Sequence, residues 1–193
     1  MTEPYAGPDI DLDTAFGSTL SVLQRVERGD LDKPTPCTLW DVRDLINHFV
    51  GTARWWAGMV FGDDAVSGTG EDYAAGDFVA AYEESIRIAR GAFGAEGALE
   101  RIVKVPFGEF PAAAVQGFAA TDQFTHGWDL ARALGHDTDL APDLAAALLD
   151  LAKLTFSDPL RGTGPDAPFG PALQAPDGSS AADRLAAFLG RAV

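Results

Sequence analysis

Residues 121–135 read TDQFTHGWDLARALG, and this stretch decides how the rest of the chain is read. At about 100° per residue, Phe118, Ala119, Asp122, His126, Asp129, Leu130 and Ala133 fall on one side of a helix that begins near Pro111. Asp122 and His126 sit inside that otherwise apolar stripe. A carboxylate and an imidazole buried without partners cost several kcal/mol, roughly 2–7 for even a neutral polar group, so something must satisfy them. Their four-residue spacing puts their Cβ atoms about 5–6 Å apart on one face, a usable geometry for two ligands of one metal ion.

Working outward, Pro111 suits the first turn of this helix and Gly135 its stop. Before it, residues 101–105 alternate and Phe107-Gly108-Glu109-Phe110 reads as a turn, which predicts a short strand or hairpin. Asp77 caps an expected helix through about Phe93, with Phe78, Tyr82, Ile86 and Ala89 at helical spacing. A helix is expected from Leu39 to about Val60, capped by Thr38, with Val42, Leu45, Ile46, Phe49, Val50 and Ala53 on one stripe. Another covers residues 9–27 and ends at Gly29-Asp30. Beyond Gly135, Pro142 opens a shorter helix to about Phe156, and a last one spans about residues 181–189. Residues 62–76 and 157–179 are aperiodic and read as long loops. Four long amphipathic helices with long connections point to a bundle, whose core is a common place for a metal site.

Composition bounds the function. The formal net charge of −15 argues against nucleic acid and against an anionic membrane surface, both of which need a basic patch. No apolar run approaches a bilayer span. The first residues, MTEPYAGPDIDLD, are acidic and unlike a signal peptide, and a single cysteine, Cys37, fits a reducing cytoplasm. A cytoplasmic location is therefore expected, with residues 1–193 forming a single domain.

His48 lies at the edge of the stripe of its helix, with Thr52 and Trp55 on the same side. If that helix packs on the 121–135 helix at the usual distance of about 8–10 Å, His48 reaches Asp122 and His126. Two imidazoles, one carboxylate and an open position form the pattern of a catalytic zinc, and the same set suits iron or nickel. Asp129 is placed to orient His126. Trp55 is placed to line a pocket above His48. Blander readings stand beside these. His48 alone is a boundary histidine, Asp129 pairs with Arg132, and His136 is an exposed loop residue. Cys37 is a small buried hydrophobe or, alternatively, a thiol activated by a helix N-terminus.

PTPCTLWDVRDLINHFVG at 34–51, together with DQFTHGWDLARALG at 122–135, resembles the metal-binding domain of mycothiol-dependent maleylpyruvate isomerases. The likeness is greatest to the actinobacterial-type metal-binding relatives of that enzyme, within the DinB-like superfamily. The closing FGPALQAPDGSSAADRLAAFLGR at 169–191 is also similar to those relatives. The resemblance implies a DinB-like four-helix bundle, which with the short hairpin before the fourth helix and the two smaller C-terminal helices read above makes a mostly all-α fold. It implies a metal held by His48, Asp122 and His126, although the isomerase tends to carry Glu where this chain has Asp122.

The function expected from these residues is binding of a divalent metal, zinc first, with nickel or iron as alternatives. The metal would hold a low-molecular-weight thiol, mycothiol by the resemblance, as the thiolate of a transferase or isomerase. One rival is a metal-dependent hydrolase using metal-bound water. Another is a binding module without turnover. The expected partner is a small-molecule substrate or thiol, and a homodimer is compatible with a helical bundle.

Overall fold

A computed structural model describes residues 10–38, 40–62, 70–156, 161–162 and 169–193. Helices dominate: α1 (Leu12–Leu23), α2 (Val42–Phe61), α3 (Phe78–Phe93), α4 (Ala112–Leu134), α5 (Pro142–Thr155) and α6 (Ala181–Phe188). A two-stranded antiparallel hairpin, β1 (Ile102–Val105) and β2 (Gly108–Pro111), leads directly into α4. The helical bundle with a hairpin before its fourth helix is the architecture expected from the sequence.

Side-chain caps define the starts of α1, α2, α3 and α6. The carboxylates of Asp11, Asp41 and Asp77 accept the backbone N–H of Thr14, Asp44 and Ala80, and the Ser180 hydroxyl accepts that of Asp183. Helix α2 therefore begins at Val42 and is capped by Asp41, three residues later than Thr38. The physical reason lies in the preceding loop. The Thr35 hydroxyl bonds the carbonyls of Cys37 and Trp40, and the Trp40 amide donates to Cys37 O at 2.8 Å. That turn holds the backbone out of the helix until Asp41. Helix α1 also stops early, at Leu23, and a short 3-10 turn follows at Arg28–Asp30.

Helix α4 is the axis of the structure. It packs against α1, α2, α5 and α6. Its burial is broader than a single stripe: Gln123, Phe124, Thr125, Gly127 and Trp128 are buried as well as His126 and Asp129. Where α1 crosses α4, a Cβ at Gly127 would collide with the Thr19 side chain, whose hydroxyl donates to Gln123 O at 2.8 Å. The aromatic core beneath the site is formed by Phe16, Phe49 and Tyr82. The Tyr82 ring meets the other two edge-on at centroid distances of 6.2 and 5.0 Å. Each such pair adds about 0.5–1.5 kcal/mol beyond burial. Parts of the two long loops, residues 63–69, 157–160 and 163–168, lie outside the described residues. No helix among the described residues is long and apolar enough to cross a membrane.

Candidate metal centre

Helices α2 and α4 meet so that His48, Asp122 and His126 converge. Asp122 Oδ1 lies 3.5 Å from His48 Nε2 and 3.4 Å from His126 Nε2. One donor atom from each of the three residues lies within 4.8 Å of the others. The two nitrogen–oxygen separations are longer than charge-assisted hydrogen bonds, which run about 2.7–2.9 Å. Tetrahedral ligands at zinc bond lengths of about 2.0–2.2 Å stand about 3.3–3.6 Å from one another. The donor set and its spacing thus fit a divalent ion bound between the three side chains.

Asp122 is prepared for that role by an asymmetry between its oxygens. Oδ2 accepts from the Thr52 hydroxyl at 2.9 Å, the Gln123 amide at 3.1 Å and the Trp56 indole N–H at 3.4 Å. Among the described residues, Oδ1 faces only the two imidazoles. Gln123 is itself fixed, receiving the Tyr82 hydroxyl at 2.7 Å and donating to Phe49 O at 3.1 Å. No lysine or arginine pairs with Asp122 among the described residues. Burial alone would push its carboxyl up, but hydrogen bonds and charge from His126 and His48 hold it well below the usual range.

His126 is oriented from behind. Its Nδ1 stands 3.0 Å from Asp129 Oδ2, which fixes the proton there and turns Nε2 toward Asp122. Asp129 is fully buried and pairs with Arg191, not with Arg132. Nε of Arg191 lies 3.3 Å from Oδ1 and Nη2 lies 3.1 Å from Oδ2. Burial would raise the Asp129 carboxyl, but the guanidinium and the imidazole bring it down to about 2. The Cys37 thiol donates to the same Oδ2 at 3.2 Å and accepts from Arg191 Nη2 at 3.4 Å. Cys37, His126 and Asp129 also form a compact donor group. There, however, Arg191 already supplies the positive charge that a metal would bring.

The site opens on one side. Side-chain exposure falls from 28% at His48 to 21% at Asp122, 8% at His126 and 0% at Asp129. His48 borders a surface groove of about 450 Å³ lined also by Trp40, Asp44, Asn47, Glu71 and Asp72. The Trp40 ring lies against His48 at 4.4 Å and His126 at 5.7 Å between centroids.

A family model described as the mycothiol maleylpyruvate isomerase N-terminal domain matches residues 12–131. The chain belongs to that family. In this mycothiol maleylpyruvate isomerase N-terminal domain family member, the match runs from α1 through nearly all of α4 and includes all three candidate ligands. The family is associated with mycothiol and with metal binding. Two uncharacterized proteins of Mycobacterium tuberculosis, from strains CDC 1551 and H37Rv, are each 37% identical to it over 177 residues, covering 90% of this chain and 91% of the relative. No solved structure matches.

His48, Asp122, His126 and Asp129 are thus brought together, whereas Trp55 packs edge-on against Trp56 at 4.6 Å. Trp40 is the indole beside His48, and Trp56 is the one that bonds Asp122. His136, expected to be exposed, is half-buried. The sequence reading missed Gln123, Trp56 and Arg191. Thr52 and Trp56 follow His48 by four and eight residues, so they share its helix face, and this was a usable signal. Arg191 closes the stretch at 169–191, but nothing in the sequence paired it with Asp129, 62 residues away.

Proposed function

We propose that this protein binds one divalent metal through His48, Asp122 and His126 and uses it in a thiol-dependent transfer or isomerisation. The observation that carries this reading is the Asp122 carboxylate, with one oxygen saturated by three donors and the other facing two imidazole nitrogens at 3.4 and 3.5 Å. Charge balance supports it. Asp129 is neutralised by Arg191, whereas Asp122 is left to a cation or to a proton on an imidazole. When bound, the metal supplies positive charge that favours a thiol as its nucleophilic thiolate.

The chain's own residues divide the remaining work. Thr52, Gln123 and Trp56 hold the Asp122 carboxylate in one orientation. Asp129 keeps the His126 proton on Nδ1, so that Nε2 is free to bind. Trp40 shields the imidazoles from bulk water on the groove side. The groove beside His48 is the approach for a small thiol and its electrophilic partner. Mycothiol is the thiol the family name suggests, and zinc is the metal that this donor set fits first.

Metal content of protein purified without chelator, followed by titration of the stripped protein with zinc, nickel and iron, tests the first half. One ion per chain, lost in His126→Ala, is expected. Transfer of a thiol to an electrophile by the loaded protein tests the second half. Ester or amide hydrolysis independent of thiol would replace it with the hydrolase reading, and one ion per chain with neither activity with the binding-module reading.

A further inference from the structure

Arg191 lies beyond the family match and outside the ligand set, yet it is buried against the back of the centre. It is delivered there by the end of α6. The Gly190 amide donates to Ala187 O and the Arg191 amide to Ala186 O, both at 2.9 Å, which is the paired bonding of a Schellman stop. Gly190 has φ +93, and a Cβ on it would stand 2.8 Å from the Gly170 Cα. This position therefore accepts only glycine, and the turn directs the next side chain inward.

The guanidinium then makes two roughly parallel bonds to the Asp129 carboxylate, at 3.3 and 3.1 Å. A fork of this kind fixes the plane of the carboxylate as well as its charge. The Asp129 oxygen held at 3.1 Å is the one that meets His126 Nδ1 at 3.0 Å. A further Arg191 bond, from Nη1 to Leu189 O at 3.0 Å, ties the side chain back to its own turn. An unbroken series of bonds thus runs from the C-terminal tail to the imidazole.

We propose that Arg191 is a positioning residue for the candidate metal centre: it locks Asp129, Asp129 locks the His126 ring, and the strength of metal binding depends on the docked C-terminal tail. The proposal rests on the reading of His48, Asp122 and His126 as ligands. Loss of an outer partner of a metal-binding histidine lowers metal affinity by roughly 10–100-fold. Arg191→Ala is expected to fall in that range. Arg191→Lys keeps the charge but loses the fork, and should fall between alanine and wild type. Because Arg191 and Asp129 act in series, the Arg191→Ala, Asp129→Asn double variant should bind zinc no more weakly than the weaker single variant. Linkage also runs the other way. Zinc should slow hydrogen exchange at the Gly190 and Arg191 amides in the wild type but not in Asp129→Asn.

The experiment is competition titration of zinc against a chromogenic chelator for the wild type and these four variants, with near-ultraviolet circular dichroism confirming their fold. If Arg191→Ala does not fold, Arg191→Lys and the exchange measurement carry the test. Wild-type affinity in the folded arginine variants, additive losses in the double variant, or zinc-independent exchange at the tail would each overturn the proposal while leaving the centre intact. A wild-type protein that binds no zinc, nickel or iron would remove the centre itself and the proposal with it.

Discussion

Asp122 and His126, one turn apart on α4, face each other with Oδ1 and Nε2 separated by 3.4 Å, too far for a strong hydrogen bond and right for two ligands of one ion. His48 adds a third donor from α2 at 3.5 Å. Replacing any of the three with a side chain that cannot ligate is expected to reduce zinc affinity by more than the roughly 10–100-fold loss of an outer partner. Asp122→Glu is expected to retain binding better than Asp122→Asn, because it keeps the carboxylate. Calorimetric titration of the four single variants measures both.

The centre is expected to have an opposite pH dependence with and without metal. In the metal-free protein, burial alone would lower the His126 pKa. Hydrogen bonds to Asp122, Asp129 and Cys37 outweigh burial and raise it well above its usual 6.5. The resulting stabilisation is complete below 6.5, the unfolded value, and is lost as pH rises through the folded value. Metal needs the neutral ring, so its affinity rises across the same window. Melting temperatures with chelator should therefore fall as pH climbs above neutrality, while those with saturating zinc hold or rise.

Cys37 separates the two donor groups near His126. Because Arg191 occupies the cation position between Cys37 and Asp129, Cys37→Ala is expected to leave metal stoichiometry at one per chain and remove only the thiol's own bonds, the one donated to Asp129 and the one accepted from Arg191. Each is worth about 0.5–1.5 kcal/mol at most. Metal analysis together with thermal unfolding tests this, and loss of the ion in Cys37→Ala would move the site to the other group.

Gly190→Ala probes the turn that carries Arg191. A positive φ costs an alanine about 1–2 kcal/mol, before the clash with Gly170 is counted. For a chain of this size that lowers the melting temperature by at least roughly 2–8 °C. Weaker zinc binding should accompany it, because Arg191 follows directly. Gly91→Ala is the control, since a Cβ there meets nothing within 4 Å.

Much of the bundle was legible because its signals are local. Apolar spacing gave α2 and α3, Pro111 and Gly135 bracketed α4, and alternation before Phe107 gave the hairpin. The Asp122–His126 pair was legible for the same reason, since four residues on a helix fix which side chains share a face. The start of α2 was misplaced because Thr35 and a turn at Cys37–Trp40 compete with helical bonding there, and a capping pattern does not record that competition.

What the sequence determined by itself was therefore the periodic helices, the turn residues between them and a polar pair on a face that had to be buried. What only the tertiary structure decided was the surroundings of that pair: His48 across from it, Gln123 and Trp56 on the spare oxygen of Asp122, and Arg191 behind Asp129. The physical reason is that ion pairs and shared hydrogen bonds depend on distance through space. A guanidinium 62 residues from its carboxylate leaves no periodicity to read, and packing of α6 against α4 and α5 brings the two together.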